Sequence, residues 1–444
     1  MSIRTNTNAL VNPSTMRLTR PVAKAAPLGL VRHLAPERLA LYGIGIYLIM
    51  FILAPVVITI PLTLEPFLYL FCGYGCIFLG MAAVRDLPKA QHSPVLAPSV
   101  VNVWFWMSLT LGIVGIAFKL FDRFSVRAAE VGANVIQERE AMAQAGANGV
   151  SVVAAVLYPF CYLVFFLYLA RTRGKKRDWR FIAALIISLA PGVIAISMGG
   201  RSGFMVSIAF ATFCSIYFGA FRIRLRTVII SAVVFLILIV ISSVVFVNRM
   251  EAVKVDPMFT VYESGYAFTD RPNAWAGAAL SGSRGFVFYI YFTVLMLLQY
   301  FVHGVFEFVY QYQHFSQAHL WGADTFSAYF KLFHMLGFGR DPFDLTSSVS
   351  PRTGIYTTFF GPVFLDFGWW AMPLLALFGA ALKKMWCQAL QDDYSVAPLY
   401  LYLAIVVLFM PVTNLIASAE GMYVISALFL FWFVTAFIPR SVSR

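Results

Sequence analysis

Ten stretches of this chain are long and apolar enough to cross a lipid bilayer: residues 41–60, 67–84, 99–118, 151–170, 181–198, 203–220, 227–247, 363–382, 397–416 and 421–438. A hydrocarbon core about 30 Å thick is crossed by about 20 helical residues. Inside it, backbone amides are satisfied only in helices or closed barrels. The sequence therefore predicts an all-α, polytopic transmembrane helical protein with about 10–12 spans. Charged residues make up only 12% of the chain, half of the roughly 25% usual for a soluble domain. The first apolar stretch starts too late and runs too long for a cleavable signal peptide, so it is expected to stay as a span.

The net charge of +13 does not point to nucleic acid, because the basic residues cluster between apolar stretches, as topology signals do. Residues 1–38 carry six Lys and Arg, segment 85–98 carries two, segment 171–180 six and segment 221–226 three. Lys383, Lys384, Arg440 and Arg444 join them, so that 21 of the 33 basic residues share one side. Acidic residues follow the reverse pattern, five on that side and fifteen on the other. The expectation is a multi-pass membrane protein with both termini cytoplasmic. Residues 1–38 form a basic cytoplasmic tail and 39–444 a single membrane domain. Within that domain, 119–150 reads as a periplasmic amphipathic loop (Phe124, Ala128, Val131, Val135 and Met142 on one face), and 248–362 as a large periplasmic or membrane-embedded region.

Parity exposes one odd segment. Residues 248–362 must cross an even number of times, or not at all, to deliver Lys383 and Lys384 to the basic side. Yet residues 285–312 form one long apolar run. A re-entrant helical hairpin or two short spans is the expectation there, and irregular backbone at membrane depth is tolerated where it lines a protein-walled cavity. Gly361-Pro362 is expected to break a helix, making 354–361 a half-helix entering the outer leaflet. The five cysteines sit in or at the ends of apolar stretches and read as packing residues, not as a disulfide or zinc framework.

Few charged residues are placed at the outer boundary, and those few are the candidates for chemistry. Arg201 lies in SMGGRSGF between two spans with almost no loop between them. Such a charge at depth costs about 2.5–3.5 kcal/mol on the lenient scale. A snorkelling helix-end anchor is the simpler reading of it. The glycines around it suit close approach of a ligand, and a guanidinium matches phosphate oxygens bidentately. Arg352, in SPRTGIYTTFFGP, and Arg284, in SGSRGF, are the second and third such cations. Asp366 lies one turn inside the following span and calls for an arginine or hydroxyl partner, with Tyr356, Thr357 and Thr358 near in sequence. His303, Glu307, Gln311 and His314 recur at helical spacing on an aromatic segment. That stripe is expected to face water or sugar rather than lipid. Glu307 and His303 are the candidates for activating a hydroxyl by general base catalysis. The histidine spacings of 11 and 5 residues, His303 to His314 to His319, fit no common metal site.

The motifs GGRSGF, SGSRGF and RTGIYTTFFGPVFLDFGWW together resemble bacterial O-antigen and oligosaccharide repeat-unit polymerases, over about residues 180–385. The resemblance implies a metal- and cofactor-independent glycosyltransferase. It would polymerise undecaprenyl-pyrophosphate-linked oligosaccharides on the periplasmic face, building O-antigen, capsule or exopolysaccharide. Arg201, Arg284 and Arg352 would hold pyrophosphate, with Tyr356 and Asp366 beside them. The partners implied are the lipid-linked saccharides, membrane lipids, a chain-length regulator and a flippase, and no nucleic acid. Two other readings stay open: a transporter or flippase of lipid-linked oligosaccharide, whose cations should line a central path, and an O-antigen ligase, which shares the arginine logic.

Overall fold

The computed structural model describes residues 28–85, 94–126, 148–174, 178–197, 202–220, isolated positions between 229 and 247, 256–263, 265–280, 285–391, 393–438 and 441–442. Its helices are α1 (Pro36–Leu53), α2 (Leu64–Ala83), α3 (Pro98–Phe121), α4 (Gly149–Leu157), α5 (Phe160–Thr172), α6 (Trp179–Ser197), α7 (Ser202–Tyr217), α8 (Phe286–His314), α9 (Phe360–Phe367), α10 (Ala371–Ala389), α11 (Ala397–Phe409) and α12 (Ala419–Ala436), with shorter helical turns between them. Among the described residues, six helical stretches are long and apolar enough to cross a membrane: α1, α2, α3 with its continuation to Val126, α4 with α5, α8, and α9 with α10. Four shorter apolar helices, α6, α7, α11 and α12, accompany them. The stretch 227–247 falls mostly outside the described residues.

Burial sorts these helices. Cys161 through Leu167 of α5 and Tyr400 through Val407 of α11 are apolar on every side and almost wholly buried. A helix of that kind belongs in the middle of a bundle. On α1 and α2, Ile52, Leu64, Phe71 and Leu79 are instead strongly exposed, as expected of a face whose solvent is lipid. Lipid supplies no hydrophobic drive between helices, so association rests on close packing of small residues. The α2–α10 contact is of this kind. Gly80 lies against the Ala376 carbonyl and Gly379 against the Ile77 carbonyl, so closely that a Cβ at either glycine would meet backbone.

Two contacts join segments that the charge pattern assigns to one side. Lys383 pairs with Glu37 at 2.7 Å, and Pro94–Val95 forms a two-residue ribbon with Ser441–Val442. At the Leu53 end of α1, Gln313 of α8 donates to the Pro61 carbonyl at 3.0 Å and to Thr63 Oγ1 at 2.9 Å.

The hairpin expected at 285–312 is corrected: α8 is one unbroken helix of 29 residues, about 43 Å long at 1.5 Å per residue. No proline interrupts it, and its interior glycine, Gly304, is seated against the Val412 carbonyl. Its C-terminal half runs parallel to α1, with Tyr47 near the Val302 carbonyl and the Phe51 ring 5.8 Å from Phe306. The half-helix expected at 354–361 is also corrected. Gly361 and Pro362 open α9 rather than break it, because proline fits the first turn, where its missing N–H goes unused. The break comes at Gly368, whose φ is +52°. Within the stretch 1–38, α1 begins at Pro36, and Val31 and Leu34 before it are buried. Residues 119–126 continue α3 through a π turn, and the rest of the expected amphipathic loop, 127–147, lies outside the described residues.

Gly80→Leu and Gly379→Leu are each expected to disrupt the α2–α10 contact and give aggregated protein on size exclusion in detergent. Gly75→Leu, at an open position on the same helix, is expected to stay monodisperse.

Candidate active site

The site is assembled where α1 gives way to extended chain. Ala54 precedes Pro55 and is driven out of the helical region, and Val56, Val57 and Ile58 are β-branched residues suited to a strand. They pair antiparallel with Asp270–Pro272, Ile58 opposite Asp270. The Thr59 N–H donates to the Thr269 carbonyl at 3.1 Å. This ribbon holds Asp270 against the middle of α8.

Residues four apart on a helix share a face, and α8 presents Gln299, His303, Glu307 and Gln311 in that rhythm. All four are buried, His303 at 0% and Glu307 at 2% exposure. The stripe therefore faces protein rather than water, a correction to the expectation. The helix lies between the bundle and the 265–272 segment, and that segment covers this face. His314 alone of the expected set is exposed.

The stripe carries a chain of polar contacts. His303 Nδ1 lies 3.0 Å from Asp270 Oδ1 and 3.2 Å from Thr269 Oγ1, and Thr269 Oγ1 donates to the same Asp270 oxygen at 3.1 Å. With Nδ1 donating to the carboxylate, Nε2 is the free imidazole nitrogen. It has no hydrogen-bond partner and lies 3.7 Å from Glu307 Oε2. That same oxygen accepts from Arg352 Nη1 at 2.7 Å. Arg352 Nη2 donates to the Gly265 carbonyl, and the guanidinium sits 4.4 Å from the centre of the Phe268 ring. The sequence Asp270–His303–Glu307–Arg352 is thus a continuous run of ionisable groups. Only Arg352, at 16% side-chain exposure, reaches toward solvent. Burial pushes the Asp270 carboxyl up from its ordinary range, against the opposing pull of His303.

Aromatic rings wall the imidazole. Tyr266 and Tyr356 stand edge-on to it at 4.8 and 5.6 Å, and Tyr300 lies 4.7 Å from Tyr356. The Tyr356 hydroxyl donates to the Tyr300 carbonyl at 2.7 Å, so Tyr356 belongs to this cluster and is itself tied down. Asp270 Oδ2, Gln299 Oε1 and Gln311 Oε1 are buried without hydrogen-bond partners. Native interiors leave few such atoms unpaired, and here they line one helix face together with His303 Nε2.

The expected site residues separate into three groups. His303, Glu307, Arg352 and Tyr356 come together. Asp366 does not join them: its carboxylate accepts from the backbone N–H of Asp324 at 2.9 Å and of Thr325 at 2.7 Å. The arginine or hydroxyl expected nearby in sequence is not its anchor; Asp366 holds the 320–326 turn instead. The Asp324 carboxyl beside it is pushed up to about 6, by burial first and then by the charge of Asp366. Arg201 and Arg284 lie outside the described residues.

Two acids escaped the sequence reading, Asp270 within this cluster and Glu420 apart from it. Asp270 sits in a short TDRP stretch with no periodicity to mark it. Glu420, at the head of α12, lies against Gly203 of the GGRSGF motif and near the Tyr162 hydroxyl, 3.5 Å away; an acid at a span boundary was the only signal. Comparison with protein-family models, with curated proteins and with solved structures gives no match to this chain.

Removing one partner of a buried ion pair leaves an uncompensated charge and costs about 3–5 kcal/mol. Arg352→Ala is expected to destabilise the purified protein by about that amount, and Glu307→Gln in the same background to restore most of it. Thermal melts in detergent check this, and equal melting of the single and double variants would contradict it.

Proposed function

We propose that this protein is a membrane-embedded glycosyltransferase that joins lipid-linked oligosaccharides, with the diphosphate-linked saccharide as donor and a second saccharide hydroxyl as acceptor. The observation that carries the reading is the His303 imidazole, oriented by Asp270, with Nε2 unpartnered 3.7 Å from a carboxylate that an arginine holds. An imidazole fixed at Nδ1 by a carboxylate is arranged to take a proton at Nε2. The motif resemblance, and the cations at the boundary opposite the basic loops, support the same class.

In this reading the acceptor oxygen attacks the anomeric carbon, the bond from that carbon to the diphosphate breaks, and the diphosphate leaves with the electron pair. The hydroxyl proton passes to His303 Nε2. The imidazolium formed is stabilised by Asp270 on one side and Glu307 on the other. Arg352 has two roles. At rest its fork is occupied by Glu307 and the Gly265 carbonyl, which keeps a buried carboxylate compensated. A diphosphate is a better match for a guanidinium fork than a single carboxylate oxygen. Its arrival draws Arg352 away, frees Glu307 to face His303, and opens the path to the imidazole. Arg201 and Arg284 are the further cations that the sequence offers for the leaving group.

The alternatives separate on the phenotype of a deletion strain. Single capped repeats mark a polymerase, free lipid-linked polymer a ligase, and repeats trapped in the cytoplasm a flippase. Glu307→Gln and His303→Ala, each returned to that strain, are expected to leave the protein in the membrane and to shorten the surface-glycan ladder to its lowest rungs. General acid–base catalysis contributes about 10²–10⁴-fold, so a loss of that order is the expected size. An unchanged ladder in both variants would remove His303 and Glu307 from the chemistry.

A further inference from the structure

At the end of α8 a second feature stands apart from the buried chain. A cleft of about 320 Å³ opens between the head of α2, the last turn of α8 and the α9–α10 junction, bordered by Glu65, Tyr312, Gln313, Gln317, His319 and Trp369. Ligand pockets begin at about this size, and the space suits one or two sugar rings rather than a lipid tail.

Its walls are built, not incidental. Tyr312 is stacked on Phe364 at 4.6 Å, and Phe315 packs edge-on to the same ring at 4.8 Å. Trp369 stands edge-on to buried Tyr69 at 5.1 Å, and its indole N–H donates to the Tyr312 hydroxyl at 3.3 Å, while 46% of the residue stays exposed. The backbone is forced at two places on the rim. Gln317 adopts φ +64° and Gly368 φ +52°, and a Cβ at Gly368 would run into the His319 ring. Non-glycine residues with positive φ are uncommon and cluster at ligand sites. Gln313 spends its amide N–H groups on Pro61 and Thr63, and its buried Oε1 has no partner.

We infer that this cleft is a saccharide-holding subsite. Tyr312 and Trp369 offer ring faces to the C–H face of a pyranose. Glu65, and Gln313 Oε1, which needs a donor, accept from its hydroxyls. Aromatic platforms flanked by acceptors are the chemistry that recognises a sugar and that an acyl chain does not require. Tyr312 follows Glu307 by five residues, about 8 Å further along the helix axis and on another flank of it. The cleft therefore holds a sugar distant from the reacting one, on acceptor or growing chain. This rests on the glycosyltransferase reading for its biological meaning but not for its test.

The probe is the oligosaccharide released by mild acid from the host's own polyprenyl-linked repeat units. It is added to the full-length protein in nanodiscs and read by saturation-transfer NMR. Transfer to the sugar protons is expected with wild type, with Glu307→Gln and with Trp369→Phe, and at least a tenfold weaker signal with Trp369→Ala and with Glu65→Gln. Circular dichroism and size exclusion identify any variant that has not folded, and the Glu65→Gln and Trp369→Phe pair then decides alone. Transfer that is absent in wild type, or equal in Trp369→Ala and wild type, overturns the inference and marks the ring as an interface anchor. Loss of binding in Trp369→Ala alongside a normal glycan ladder in Glu307→Gln and His303→Ala keeps the subsite and discards the enzyme. A lost ladder in those variants with unaltered binding does the reverse.

Discussion

A charge buried among helices long and apolar enough to cross a membrane is the constraint from which the rest of this structure follows. Glu307 is 3% exposed on its side chain and is the one carboxylate on a helix that is otherwise apolar and aromatic apart from neutral polar and histidine side chains. An ionised carboxylate there is sustained only by a partner of opposite charge and by hydrogen bonds. Arg352 provides the first, reaching it from 45 residues further along the chain. To place that guanidinium, the chain after α8 must return across the 320–326 turn, which Asp366 fastens by its backbone N–H groups. To cover the other flank, the 265–272 segment lies along α8 and is pinned by the Val56–Ile58 ribbon. The fold around the site is thus a set of devices for keeping one ion pair compensated beside an imidazole.

Such a pair is weak support for stability, since apolar residues of similar volume often serve as well or better. Its value lies in exchange. Arg352 is the less buried member, at 16% side-chain exposure, and in the function proposed above phosphate oxygens arriving with substrate would be its alternative partners. A guanidinium shared between an internal carboxylate and an incoming diphosphate couples binding to the release of the groups that move the proton. On that proposal the cost of separating the pair would be offset by the new pairing, so that an empty site would stay closed and an occupied one would open.

Much of the helical framework was legible because lipid imposes one rule on every span, a run of apolar residues matched to bilayer thickness. Lys383 and Glu37, which the charge pattern assigns to one side, pair in the fold. What failed was local. The Gly361-Pro362 pair reads as a helix breaker, yet at a first turn it is a helix starter. Parity suggested a hairpin in 285–312, whereas nothing in that run can break a helix, and Gly304 is spent on close packing. Of the site, the 303–307 pair was visible from its spacing, and Arg352 from its rarity. Asp270 was not, because its partnership with His303 spans 33 residues and is made by a three-residue ribbon that no periodicity announces. Asp366 was singled out for the right reason, a buried acid in need of a partner, but backbone amides can satisfy a carboxylate as well as an arginine can.

In the proposed function Arg352 leaves Glu307 for a diphosphate. Infrared difference spectroscopy on the protein in nanodiscs, with and without a short-chain polyprenyl diphosphate, observes that carboxylate directly. A shift of a carboxylate stretching band is expected on addition of the diphosphate, absent in Glu307→Gln and in Arg352→Ala. Spectra of wild type and Glu307→Gln that change identically would contradict it, and would leave the ion pair as a structural clasp alone.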